Sequence, residues 1–266
     1  MPRGCRPCTM TRFLFTTLLA TILFFAIGLS FHGWTRIWIY TAFWTVYFII
    51  LACGVAFVQL KFFGPVICRG DPHRMCVALS FDDGPDPATT PALLDLLAQE
   101  KIPAAFFCIG KNVAANPALT VRIAAEGHLL GNHTFTHPKW ISLLSRRELL
   151  NEISLAQEQI CSATGITPIY MRPPMGLTNP RYAGVLKQLG LQMAGWDVRS
   201  MDTRWPPRQV IRRVLRKARP GSIILLHDGG RPPDHVLEIT REVIHGLRER
   251  GFEFERMDRI TIGNNE

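Results

Sequence analysis

No aspartate or glutamate occurs before Asp71 in this 266-residue chain, although 21 acidic residues follow from that point on. The first 68 residues carry only five strong bases, Arg3, Arg6, Arg12, Arg36 and Lys61, so the formal charge of +9 divides into +5 there and +4 over the rest. A concentrated basic face is missing too, and a diffuse +4 excludes nucleic acid as the expected partner. The seven cysteines make no disulfide framework. Cys5 and Cys8 form a lone C-x-x-C, without the second pair a zinc site needs or the strand-to-helix setting of a redox motif. Cys76, Cys108 and Cys161 sit among apolar residues, where a free cysteine packs as a small hydrophobe. Internal repeats and low-complexity tracts are absent as well.

The acid-free part is hydrophobic. Segments 13–31 and 37–60 are uncharged and mostly apolar, and each reaches the ~20 residues that cross about 30 Å of hydrocarbon as a helix. Trp34, Trp38, Tyr40 and Trp44 lie toward the intervening turn, where amphipathic rings favour the headgroup layer. Residues 1–61 are therefore expected to form a membrane region with two transmembrane helices. A cleaved signal peptide is the alternative for the first segment, with Ala26-Ile27-Gly28 as the small-residue site. Arg3, Arg6 and Arg12 precede the first span, Lys61, Arg69 and Arg74 follow the second, and only Arg36 with His32 is assigned to the turn. The positive-inside rule then favours a two-pass protein of the cytoplasmic membrane whose remaining domain lies on the cytoplasmic face.

Residues 62–75 read as a connector, with Gly64-Pro65 and Gly70-Asp71-Pro72 as turns. Beyond it lies one domain, 76–266. Strands are predicted at 76–81, 104–109, 129–130, 169–172, 191–196, 222–226 and 252–256. Helices are predicted through Leu93–Leu97 and at 117–126, 147–163, 180–189, 207–218 and 235–250. Short buried strands alternating with helices predict an α/β fold, a parallel sheet covered by helices. Around seven units suggest a closed or nearly closed (β/α)7-type barrel, whose site gathers at the strands' C-terminal ends.

Four clusters fall where strands end. Asp82 and Asp83 sit before Gly84-Pro85; adjacent carboxylates point apart, so one can bind a metal while the other takes a proton. His133 and His137 stand at i and i+4, the spacing that sets two imidazoles on one side of a helical turn around a metal. With a carboxylate they complete a two-His, one-carboxylate set with open positions. Arg172 precedes Pro173-Pro174-Met175-Gly176, a stiff segment suited to a fixed guanidinium and an oxyanion-directed N–H. His227 leaves a buried strand for Asp228-Gly229, placed to act as a general acid.

In this order, Ser80-Phe81-Asp82-Asp83-Gly84-Pro85, His133-Thr134-x-x-His137, Arg172-Pro173-Pro174-x-Gly176 and Leu225-Leu226-His227 resemble the signature of the polysaccharide deacetylases, the NodB-homology or carbohydrate esterase family 4 group. The resemblance runs from about Cys76 to Arg256. It implies a distorted barrel of about seven β/α units and a divalent metal, most often Zn2+. Carried over residue by residue, it makes Asp83, His133 and His137 the metal ligands and Asp82 the general base, held by Arg172. The backbone N–H of Met175 would meet the oxyanion. His227 would protonate the leaving amine, with Asp202 as its partner and Asp197 as the rival. Two positions depart from the family pattern: Met175 stands where an aromatic is common, and Thr203, not Trp, follows Asp202. Trp205 or Trp196 is then the candidate for that pocket wall.

The activity implied is removal of an N-acetyl or other N-acyl group from an amino sugar in a polysaccharide, a peptidoglycan-like glycan or a lipid-linked sugar. A small-molecule amide or ester hydrolase, such as a deformylase, and a carbohydrate-binding pseudoenzyme are the alternatives. The five core residues argue against the second. Arg208, Arg212, Arg216 and Arg219 form a helical stripe, read as a solvated face or else as a contact for anionic lipid.

Overall fold

A computed structural model describes residues 11–260. Arg3, Arg6 and the Cys5–Cys8 pair lie outside the described residues. Two helices come first: α1 (Arg12–Ser30), whose cap Thr11 accepts a hydrogen bond from the Leu14 N–H, and α2 (Gly33–Ala56). Both are long and apolar enough to cross a membrane. Thr41 and Thr45 turn their hydroxyls back onto the carbonyls of Ile37 and Thr41, which leaves no polar side-chain group of theirs unpaired in an apolar surrounding. The link between the helices is only Phe31-His32, so Arg36 belongs to the first turn of α2 and not to the inter-span turn where the sequence placed it. The second apolar helix ends at Ala56, before residue 60. After Ala56 the chain passes through a 3-10 turn, Val58–Leu60, and Lys61 takes a left-handed φ of 51°.

The domain alternates as expected: β1 (Cys76–Asp82), α3 (Thr90–Gln99), β2 (Ala104–Cys108), α4 (Gly110–Ala115), α5 (Pro117–Ala125), β3 (Leu129–Asn132) and α6 (Arg146–Thr164). Then follow β4 (Tyr170–Met171), α7 (Arg181–Leu189), β5 (Gln192–Met193), β6 (Val198–Arg199), α8 (Pro207–Lys217), β7 (Ile223–His227), α9 (Pro233–Glu249), β8 (Glu253–Phe254) and α10 (Met257–Ile260). Proline enters α3, α5, α8 and α9 at the first turn, where its missing N–H costs nothing. The capping box of Ser145 with Glu148 starts α6. Helices α4 and α10 and strand β6 were not anticipated; all three are too short to carry a periodic signal.

All strand pairings are parallel, in the order β5-β4-β3-β2-β1-β7-β6, with β8 beside the start of β1. The sheet therefore curls into an open half-barrel instead of closing. The connector takes part in its wall: Ile67 bridges Ala194 and Arg69 bridges Ser222, while Phe62, Phe63, Val66 and Cys68 are buried. Beyond β5 the run 191–196 pairs with the connector: Ala194 bridges Ile67, and the Gly195 N–H donates to the Ile67 carbonyl at 2.8 Å.

The pleat of β1 divides the core. Val77, Leu79 and Phe81 pack outward with Leu93, Val243 and Leu247 under the helices. Cys76 and Ala78 face the inner cluster with Phe107, Met171, Tyr182 and Val58. Side chains alternate with period two, so Asp82 at the end of β1 falls on the inner face.

Candidate active site

Asp82 is buried, and its Oδ1 accepts from Arg172 Nη1 at 2.7 Å. Arg172 follows β4, is wholly buried, donates through Nη2 to the Gly195 carbonyl at 2.9 Å, and lies 4.0 Å over the Phe107 ring. A buried carboxylate without this partner would carry an uncompensated charge. Asp83 turns the other way. Its φ of 78° is unusual for a residue with a Cβ, and Asn112 Nδ2 holds its carbonyl at 2.7 Å. Gly84 must be glycine, because a Cβ there would collide with the carboxylate of Asp228.

His133 and His137 reach Asp83 from the loop after β3. The two Nε2 atoms lie 3.5 Å each from Asp83 Oδ1. The sequence spacing suggested one helical turn; the loop instead passes through positive φ at Thr134 (64°) and His137 (53°). Local polar contacts impose that shape. Asn132 Oδ1 accepts from the Thr134 N–H at 2.9 Å, Thr134 Oγ1 from the His137 N–H at 3.2 Å, and the Glu152 carboxylate from Phe135 N–H, Thr136 N–H and Thr136 Oγ1. His133 Nδ1 lies 2.8 Å from the Arg172 carbonyl, which directs Nε2 at the carboxylates.

The donor atoms of Asp83, His133 and His137 all lie within 4.8 Å of one another. Ligand bonds near 2.0–2.1 Å in tetrahedral geometry place donors about 3.3–3.5 Å apart, and the separation of each histidine from Asp83, 3.5 Å, matches that spacing. Burial works to raise the Asp83 carboxyl, but the His133 hydrogen bond and the charges of His133, His227 and His137 hold it down to about 2. Burial and the neighbouring His133 lower His137. Asp83 is thus an anion and His137 favours its neutral form, as ligation requires; burial works to lower His133, but the charges of Asp82 and Asp83 raise it, so this ring would give up its proton on binding a cation.

On the other side, β7 pairs with β1 so that His227 is in register with Asp82. Asp202 Oδ1 lies 2.9 Å from His227 Nδ1, and Oδ2 accepts the His227 N–H at 2.8 Å. Ser200 Oγ also donates to Asp202, at 2.8 Å. Burial works to lower His227, yet Asp202, with Asp82 and Asp83, raises it above the ordinary imidazole value. Asp197, the rival partner, lies at the opposite end of β7, where it accepts from the Ile223 N–H, Ser222 Oγ and Arg219 Nε.

Met175 sits in a tight turn with φ 56°. The Gly176 and Leu177 N–H groups close that turn on Pro173 and Pro174; among the described residues no acceptor faces the Met175 N–H. Trp196 packs against Gly176, whereas Trp205 borders a cavity of about 310 Å³ with Asp202, Arg231 and His235. A second cavity, of about 340 Å³, lies beside Asp83 and is walled by Asp86, Asn112, Asn116 and Gly229. Sequence reading missed Asn112, Asn132, Glu152 and Asp228. Asp228 is fully buried, takes the Thr90 hydroxyl at 2.6 Å, and is pushed up by burial to about 7. Only Asn132 and Asp228 carried a hint, each being adjacent to a predicted histidine.

A half-barrel that gathers an Asp-His-His cluster, an Arg-paired carboxylate and a His–Asp pair at its strand ends defines a metallohydrolase-like site. Residues 69–194 match the family described as polysaccharide deacetylase. The chain is 36% identical over 197 residues to a chitooligosaccharide deacetylase of Bradyrhizobium sp. (strain ANU 289), covering 69% of this chain and 90% of that protein. It is 34% identical over 185 residues to a peptidoglycan-N-acetylglucosamine deacetylase of Listeria monocytogenes, covering 69% of this chain but 38% of that longer protein. Among solved structures, a peptidoglycan N-acetylglucosamine deacetylase aligns with a TM-score of 0.70 at 31% identity, over 74% of this chain and 92% of that one. A carbohydrate esterase family 4 pseudoenzyme from Bacillus anthracis aligns with a TM-score of 0.68 at 25% identity, over 74% and 68%. The chain belongs to the polysaccharide deacetylase family.

Proposed function

We propose that this protein is a membrane-anchored, metal-dependent hydrolase that removes an N-acyl group, acetyl in the first instance, from an amino sugar. The convergence of Asp82 with Arg172, the three-donor cluster and the His227–Asp202 pair on one end of the sheet carries this reading. Asp83, His133 and His137 would hold a divalent cation, with zinc best suited to that donor set, which would supply Lewis acidity for the acyl carbonyl and for water.

The chain's own groups do the rest. Asp82, oriented by Arg172, takes the proton of the water that attacks the amide carbon. The Met175 N–H, not used in its turn, donates to the oxygen that becomes anionic. Asp202 on Nδ1 of His227 sets the tautomer and leaves Nε2 to give a proton to the departing amine. The carbon–nitrogen bond then breaks, leaving a free amino sugar and a carboxylic acid. The presence of every one of these groups weighs against the pseudoenzyme reading that the Bacillus anthracis neighbour brings to mind.

The helix hairpin supports retention of both spans. Phe24 of α1 packs on Tyr40 of α2 at 5.0 Å, and Arg12 Nη1 reaches the Leu60 carbonyl at 3.0 Å. Bases at both outer ends of the hairpin, against Arg36 alone at its tip, support a cytoplasmic catalytic domain.

The test is metal content together with amine release from N-acetylglucosamine oligomers, comparing the protein with Asp82→Asn. Both should bind one equivalent of metal, and the variant should lose about 10²–10⁴ in kcat. Metal without release by the unaltered protein would move the assignment to a small-molecule hydrolase or a binding protein. Absence of metal would overturn it.

A further inference from the structure

The end of α2 is hydrogen-bonded into the site. Thr178 donates its N–H to the Val55 carbonyl at 3.0 Å and its hydroxyl to the Gly54 carbonyl at 3.1 Å. These are two of the carbonyls that the last helical turn leaves without partners. Gly54 is glycine because the Phe62 ring lies where a Cβ would be. Thr178 is six residues from Arg172 and three from Met175, so the span is joined to the very segment that frames the reaction.

Asn179 extends the connection, donating Nδ2 to the Ser142 carbonyl at 3.1 Å. In that next loop, just past His137, Trp140 is 72% exposed and Leu143 71% exposed on either side of the buried Ile141. The Leu143 N–H donates to the Trp140 carbonyl at 2.9 Å in a 3-10 turn. Residues i and i+3 eclipse in that geometry, so the two side chains stand on one face, with exposed Lys139 beside them. An exposed tryptophan near a sugar site can stack on a pyranose ring, and the Lys139 ammonium can donate to sugar hydroxyls, so Leu143, exposed on the face of the tryptophan, is the group that a sugar would serve least. All three gain from a lipid interface, where indole and leucine bury and lysine meets headgroups. The surroundings agree. Arg12 and Lys61 are exposed where the spans meet the domain, and an apolar cavity of about 360 Å³ opens there between the connector and α7, flanked by Lys61 and Lys187.

We propose that the 138–144 loop is an interfacial anchor that seats the mouth of the site in the headgroup layer. The substrate is then an amino sugar carried on a membrane lipid and presented at the bilayer surface, not a polymer strand arriving from the aqueous phase. This rests on the deacylase and membrane-span readings above.

The test uses the full-length protein in vesicles of phosphatidylcholine and phosphatidylglycerol, alone and as the Trp140→Ser/Leu143→Ser double variant. One probe is N-acetylglucosamine joined through pyrophosphate to a polyprenol in the same vesicles; the other is soluble chitotetraose. The double variant should lose at least about tenfold in kcat/KM on the lipid probe and stay within about twofold on chitotetraose. Equal loss on both probes makes Trp140 a sugar platform and overturns the proposal, as does loss on neither. Chain-brominated lipids should also quench a fluorescence component that Trp140→Phe removes, and no such component would overturn the bilayer contact. If the unaltered protein releases amine from neither probe, the deacylase reading has failed, and the quenching still decides the contact.

Discussion

Asp82 and Asp83 are adjacent and chemically identical, yet the fold gives them separate environments. Asp82 continues the pleat of β1 onto the inner face and meets Arg172; Asp83 leaves it through a φ of 78° and meets two imidazoles. Division of labour between paired carboxylates arises in this way, from surroundings and not from residue type. The His227–Asp202 pair has a pH signature. Asp202 raises His227 despite its burial, and a general acid must be protonated, so activity should persist below that raised value and fall as pH rises through it. Asp202→Asn removes the raising charge. The alkaline limb of kcat/KM should then move to lower pH, with the acidic limb unmoved. An alkaline limb that stays in place would assign the acid to another group.

At the scale of elements, the site depends on loops braced by neighbouring helices. Glu152 on α6 touches no predicted ligand, but its carboxylate takes three hydrogen bonds from Phe135 and Thr136, between the two histidines. Groups that orient ligands commonly account for 10–100-fold in metal affinity. Glu152→Ala should weaken metal binding by about that range, read by competition with a chromogenic chelator, while the fold stays intact by circular dichroism. Unchanged affinity would mean that the loop holds its shape without α6. This bracing was not legible beforehand. H-x-x-x-H suggests a helical turn, and Thr134, β-branched, is a residue type that disfavours the positive φ it takes here.

Across the whole molecule, the hairpin and the domain are one structure. Val58 lies in the inner core with Tyr182 and Met193, and the connector closes part of the barrel wall. On the proposed reading of α1 and α2 as membrane spans, their entry into the bilayer decides where the site opens. The charge pattern favours the cytoplasmic side. A reporter fused after Glu266 that works only in the cytoplasm should be active, and one that works only in the periplasm should be silent. The reverse result would place the domain outside the membrane and direct the search for substrate to wall glycans.

The sequence by itself determined the alternation of buried strands and amphipathic helices, the two apolar helices, and the order of the four polar clusters at strand ends. Those are local properties: periodicity, proline and glycine at element boundaries, and residue chemistry next to a turn. Tertiary structure decided what depends on distance. It opened the sheet into a half-barrel, made the connector part of the wall, and brought Asp202 instead of Asp197 to His227. The choice between those two aspartates turned on which end of β7 each one reaches. No local pattern encodes that, because it follows from how β6 lies against β7.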